Sequence, residues 1–94
     1  MQKIKISCED KYEAQKLTSL VYLEDSSETF INAIINIIDT EMIVALKDKS
    51  VHSIVLKDKD NVEALADFLQ SVLDEEHQIT ATTSSDAEVV ITKA

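Results

Sequence analysis

The stretch at residues 60–76, DNVEALADFLQSVLDEE, constrains the fold more than any other part of the chain. Its apolar side chains recur every three to four positions, which is the spacing of one face of an α-helix. They are Val62, Leu65, Ala66, Leu69, Val72 and Leu73. Asp60 followed by Glu63 forms a capping-box signature that marks the start. The sequence therefore predicts an amphipathic helix that buries one face against another layer of structure.

The opposite face of this predicted helix is acidic, and seven of the chain's 18 acidic residues lie between positions 58 and 77. Two interpretations fit this pattern. Acidic residues on an amphipathic helix commonly form an ordinary solvated face. Alternatively, carboxylates repeated at helical spacing present charge on the scale of duplex phosphates and attract a basic partner protein. The predicted partner-binding residues are Glu63, Asp67, Gln70, Asp74, Glu75 and Asp58.

Composition excludes several classes of function. The net charge of −9 and the pI of about 4.5 predict repulsion from nucleic acids and anionic membranes and attraction to basic protein surfaces. The absence of Gly excludes a P-loop and a dinucleotide-binding fingerprint. All nine basic residues are Lys, so no Arg is present to bind phosphate bidentately. The single Cys, the absence of an apolar signal core and the absence of a membrane-spanning run predict a cytoplasmic protein.

The first part of the chain predicts one strand and two helices. Residues 3–8 alternate apolar and polar side chains, as half-buried strands do. Residues 10–23 carry a capping signature and helical spacing, although 19–23 also fit a short strand. Residues 30–38 are rich in isoleucine, but their polar positions recur every three to four residues. We therefore predict a helix there with a wide apolar face, despite the strand preference of isoleucine.

Two hairpins complete the prediction. The first comprises residues 42–47 and 51–57, and the second comprises residues 78–83 and 88–92. The predicted order is β-α-α-β-β-α-β-β in a single acidic domain spanning residues 1–94, and no internal repeat is evident. The expected fold class is α+β, a two-layer sandwich of three helices on a mainly antiparallel sheet of four to five strands.

No catalytic, cofactor-binding or metal-binding residue is predicted. Cys8 lies where a strand meets a helix, but Glu9 and Asp10 beside it disfavour a thiolate, so a buried structural role is favoured. His52 and His77 lack partners at ligand spacing. A loop beginning at Asp58 lacks the Gly and Glu that a calcium loop requires.

Two functions from different classes remain. The first is a non-enzymatic interaction module, a small inhibitor or antagonist whose acidic helix binds a basic partner, of which a nucleic-acid-binding protein is one kind. An inhibitor carried by a mobile element against a host nuclease and an immunity protein against a basic nuclease toxin both fit this profile. The alternative is a structural or self-assembling protein that forms a homodimer through the isoleucine-rich helix or an open sheet edge. An enzyme that uses Cys8 is a weaker third hypothesis.

Overall fold

A computed structural model describes residues 2–21, 31–73, 79–85 and 87–93. This part of the chain contains two helices and six strands. In chain order they are β1 (Gln2–Ser7), α1 (Lys11–Val21), β2 (Ile31–Ile38), β3 (Glu41–Leu46), β4 (Val51–Val55), α2 (Lys59–Leu73), β5 (Ile79–Ser85) and β6 (Glu88–Lys93).

The strands form two antiparallel three-stranded sheets, in the orders β1-β6-β5 and β2-β3-β4. Helix α1 packs against β5, β6 and β4, and α2 packs against β1 and β2. Buried side chains from both sheets and both helices form one hydrophobic cluster. The α+β class and both hairpins are confirmed. The predicted two-layer sandwich of three helices on one sheet of four to five strands is wrong.

The error arises at β2, which is an edge strand and not the predicted helix. Two β-bulges, at Asn32 and Ile35, interrupt its pairing with β3. The residues paired with the buried positions of β3 are consequently Ile31, Ile34 and Ile37, which are three positions apart instead of two. This spacing imitates a helical face, whereas the local preference of isoleucine for strands was the correct signal.

The turn that joins β2 to β3 was also missed, because the chain has no Gly to mark it. Asp39 takes the left-handed conformation there, with φ of 55°. Lys49 does the same in the β3–β4 turn, with φ of 73°. Asp tolerates this region better than most residues, so an Asp-Thr pair can substitute for the usual Gly-containing turn.

The topology contains an internal repeat, contrary to the sequence prediction. The first unit is β1-α1-β2-β3 and the second is β4-α2-β5-β6. Each unit gives its hairpin to the other: β5 and β6 pair with β1, and β2 and β3 pair with β4. The strand pairings of one sheet thus map onto those of the other.

Hydrogen bonds at the junction of the two units repeat in the same way. A β-bridge joins Cys8 to Leu56 at the ends of β1 and β4. Beside it, each unit donates two backbone amides to the other unit. One amide donates to a backbone carbonyl, and the other donates to a side chain in the first turn of the other unit's helix. These bonds are Glu9 N to Val55 O (3.0 Å), Lys57 N to Ser7 O (3.0 Å), Val55 N to Glu13 Oε2 (3.1 Å) and Ser7 N to Asn61 Oδ1 (2.8 Å). Each residue of the first unit here has an equivalent in the second.

Few residues are identical at equivalent positions, which explains why the sequence alone did not reveal the repeat. The clearest identities are the helix-capping aspartates, Asp10 and Asp58, and the fully buried leucines, Leu17 and Leu65. The repeat provides an internal reference: a feature that one unit has and the other lacks is not required by the fold.

Candidate interaction surface on helix α2

Helix α2 begins at Lys59, and its N-cap is Asp58, two residues before the predicted N-cap Asp60. The Asp58 carboxylate accepts hydrogen bonds from the Asn61 backbone N (3.0 Å) and from Asn61 Nδ2 (2.7 Å). These two bonds are the main cause of a lowered pKa for Asp58. One predicted partner-binding carboxylate therefore already has a structural role as a helix cap.

The apolar face of α2 is buried as its spacing predicted. Of the predicted residues, Leu65 and Leu69 are fully buried, Val62, Ala66 and Val72 are nearly so, and Leu73 is partly buried. Phe68, which the prediction did not include, is also buried. This burial fixes the rotation of the helix about its axis, and the rotation in turn places the acidic positions outward.

Glu63, Asp67 and Gln70 are exposed on the outer face of α2. Glu63 and Asp67 are one helical turn apart, about 6 Å along the axis. Within the described residues, neither carboxylate forms an ion pair with a lysine of the chain. Asp74 and Glu75 lie outside the described residues. The described part of the stripe thus offers two carboxylates that the fold does not neutralise.

The internal repeat shows that these carboxylates are not a requirement of the fold. The positions on α1 that correspond to Glu63 and Asp67 are Gln15 and Ser19, both exposed and both uncharged. An outward face without carboxylates is therefore compatible with the same helix packing. The acidic stripe is a property of the second unit alone.

A groove of about 330 Å³ opens between α2 and the end of β2. Its apolar lining comes from Ile37 on β2 and from Val62 and Ala66 on α2. The Ile37 side chain is 42% exposed although it is on the core-facing side of the strand, because nothing within the described residues covers it fully. Asp39, Lys59, Glu63 and Asp67 complete the lining.

Sequence reasoning missed the contribution of Ile37 and Asp39 to this site. It placed residues 30–38 on a helix, so it could not bring them beside α2. The signals that pointed to the correct arrangement were the dense β-branched residues of β2 and the turn-forming Asp39 that follows them.

The same strand presents two further apolar side chains. Ile35 and Ile38 are each 54% exposed. Both lie on an edge strand whose outer side has no neighbour among the described strands. Exposed isoleucine on an unpaired edge is a feature that soluble proteins usually avoid or cover.

The remaining residues that could carry catalysis or bind a metal are Cys8, His52 and His77. Cys8 is 2% exposed, and burial together with the charges of Glu13 and Asp10 raises its pKa to about 11, which keeps the thiol protonated near neutral pH. His52 is half-buried, with Nε2 3.0 Å from Ser50 Oγ. His77 lies outside the described residues. No group of three metal-ligating side chains occurs in the described ranges.

Neither α1 nor α2, the helices of the described part, is long and apolar enough to cross a membrane. Comparison of the chain with protein-family models, curated proteins and solved structures finds no match in any of the three. The candidate surface therefore has to be interpreted from its own geometry and charge.

Proposed function

We propose that this protein is a non-enzymatic interaction module whose outer α2 face binds a basic surface on a partner protein. A small inhibitor or antagonist of a nucleic-acid-binding protein fits this role, since such a partner has a basic groove that the carboxylates can occupy. The proposed contact residues are Glu63, Asp67 and Gln70 of the described helix, and the sequence pattern adds Asp74 and Glu75. Function in the cytoplasm is part of the proposal.

One observation carries the proposal. In a repeated fold, the second unit alone has exposed carboxylates without lysine partners where the first has Gln15 and Ser19. Solubility alone gives no reason to concentrate charge on one of two equivalent helices, since the net charge would still be −7 (16 acids against 9 lysines) without these two residues. Selection for a contact at this helix explains the difference.

Affinity capture from extract of the producing cells tests the proposal. We expect the protein to retain a basic protein at low ionic strength and to release it at high salt, because screening weakens contacts between exposed charges. The test variant is Glu63→Gln with Asp67→Ser, which installs the residues found at the equivalent positions of α1 and should reduce capture. If the variant captures as much partner as the unmodified protein, the α2 face is not the contact surface.

Self-association through β2 is a second candidate, and the exposed Ile35 and Ile38 on an edge strand favour it. Antiparallel pairing of two β2 edges would extend the sheet across a dimer and cover these side chains. The prediction is a concentration-dependent dimer in sedimentation velocity, which Ile35→Lys should convert to monomer. A strict monomer at high protein concentration would contradict this candidate.

A further inference from the structure

The groove between α2 and β2 lies directly beside the proposed contact face, and the internal repeat provides an equivalent contact, between α1 and β5, with which it can be compared. The position equivalent to Ala66 on α1 is Thr18, and the position equivalent to Ile37 on β5 is Thr83, which pairs with Val89 as Ile37 pairs with Met42. Thr18 Oγ1 and Thr83 Oγ1 are hydrogen-bonded at 3.0 Å.

That hydrogen bond ties helix α1 of the first unit to strand β5 of the second. At the equivalent contact between α2 and β2, a small Ala66 and Ile37 line the gap, no hydrogen bond joins them, and the gap between helix and strand is open. The same fold can therefore close such a gap with two hydrogen-bonded threonines. Between α2 and β2 it instead leaves an apolar gap that solvent can reach. An accessible apolar gap has a cost, since water contacts surface that would otherwise be buried.

Charge around the groove indicates what fits it. Glu63, Asp67 and Asp39 line it together with one cation, Lys59. The Lys59 Nζ atom lies 3.7 Å from Asp39 Oδ1, and both side chains are about three-quarters exposed. Two carboxylates, those of Glu63 and Asp67, are left without a lysine partner among the described residues, so the rim is net negative. A second copy of this chain, itself carrying −9, would be repelled here.

We infer that this groove receives a bulky apolar side chain from a basic segment of the partner, while lysine or arginine residues on either side of that anchor contact Glu63 and Asp67. The inference rests on the proposed function and specifies its partner: a basic segment with an apolar anchor. The volume of about 330 Å³ suits one large side chain with part of its backbone. Apolar burial supplies affinity that persists in salt, and the carboxylates supply orientation.

A tryptophan-containing peptide is a sensitive probe, because the protein has no Trp and peptide fluorescence has no tryptophan background. Two lysine-rich peptides are compared, one with a single Trp at its centre and one with Ala there. We expect the Trp peptide to bind about tenfold more tightly and its emission to shift to shorter wavelength on burial.

Filling the groove should remove this difference. In Ala66→Met, a longer side chain from α2 occupies the gap, and we expect the Trp peptide to bind no better than the Ala peptide, without an emission shift. A second variant, Ile37→Thr with Ala66→Thr, recreates the threonine pair of the α1–β5 contact and should likewise bind the Trp peptide no better than the Ala peptide. The control Ser19→Met places the same side chain as Ala66→Met at an exposed position of α1. It should leave the affinity of both peptides and the emission shift unchanged. Circular dichroism verifies that each variant is folded.

The outcomes separate the groove from the charged face. If both groove variants bind the Trp peptide as the unmodified protein does, the inference is overturned, and the proposed function still stands if Glu63→Gln with Asp67→Ser weakens both peptides. If the charge variant weakens neither peptide, the proposed function fails and the inference fails with it. If the unmodified protein is a dimer that Ala66→Met makes monomeric, a second copy occupies the groove and the inference is overturned.

Discussion

Replacing Glu63 and Asp67 with lysine will lower affinity for a basic partner by about 10- to 100-fold at low ionic strength. Each exposed charge pair contributes roughly 0.2–1 kcal/mol, and reversal both removes two attractions and adds two repulsions. The four terms sum to roughly 0.8–4 kcal/mol, and the middle of that range, about 1.4–2.7 kcal/mol, corresponds to a 10- to 100-fold loss of affinity. Because the two carboxylates are one helical turn apart, a single basic segment encounters both at once.

The measurement is a titration of the partner, or of the lysine-rich peptide, followed by anisotropy at two ionic strengths. The loss should shrink at high salt, since screening removes attraction in the original protein and repulsion in the variant. Fold integrity is not at risk: both positions are exposed, and lysine is a good helix former.

The control for net charge is Glu9→Lys with Glu41→Lys, which changes the total by the same amount away from the α2 face. Glu9 is exposed after β1, and Glu41 lies in β3 next to the buried, core-facing Met42, so its side chain is on the opposite side of the sheet. We expect a much smaller effect on affinity. Equal losses in both double variants would mean that overall charge, not the α2 face, determines binding.

The carboxylates of α2 were predicted from the sequence because they depend only on local periodicity. The spacing from Val62 to Val72 fixes which side of the helix is buried, so Glu63 and Asp67 had to face outward. The same reasoning identified α1 and both hairpins. Where short-range periodicity and burial agree, the sequence is sufficient.

The groove could not be predicted in this way, because it depends on contacts between residues far apart in the chain. Bulges at Asn32 and Ile35 gave β2 a helix-like spacing, and this removed Ile37 from the predicted sheet. The exchange of hairpins between units brings β2 beside α2, and no local signal encodes that exchange. The two units share equivalent hydrogen bonds but few identical residues, among them Asp10 and Asp58. The repeat is therefore recognised from the structure and not from the sequence.

The second large effect expected is on stability: Leu17→Ala and Leu65→Ala will each reduce the free energy of unfolding by about 2–5 kcal/mol. Both side chains are fully buried at equivalent positions of the two helices, and each faces the shared hydrophobic cluster. Total stability for a domain of this size is of the order of 5–15 kcal/mol, so either change removes a large fraction. The exposed control is Val51→Ala, which should stay within about 0.5 kcal/mol because Val51 is 59% exposed.

Urea denaturation followed by circular dichroism measures these changes, and the shape of the transition tests the exchanged architecture. Because each hairpin completes the sheet of the other unit, the two units cannot unfold separately. We therefore expect a single transition in both variants, moved to lower urea by a similar amount, with an unchanged slope. Two transitions in Leu17→Ala, with one at the original midpoint, would mean that the second unit is stable by itself, and the interdependence of the halves would have to be abandoned.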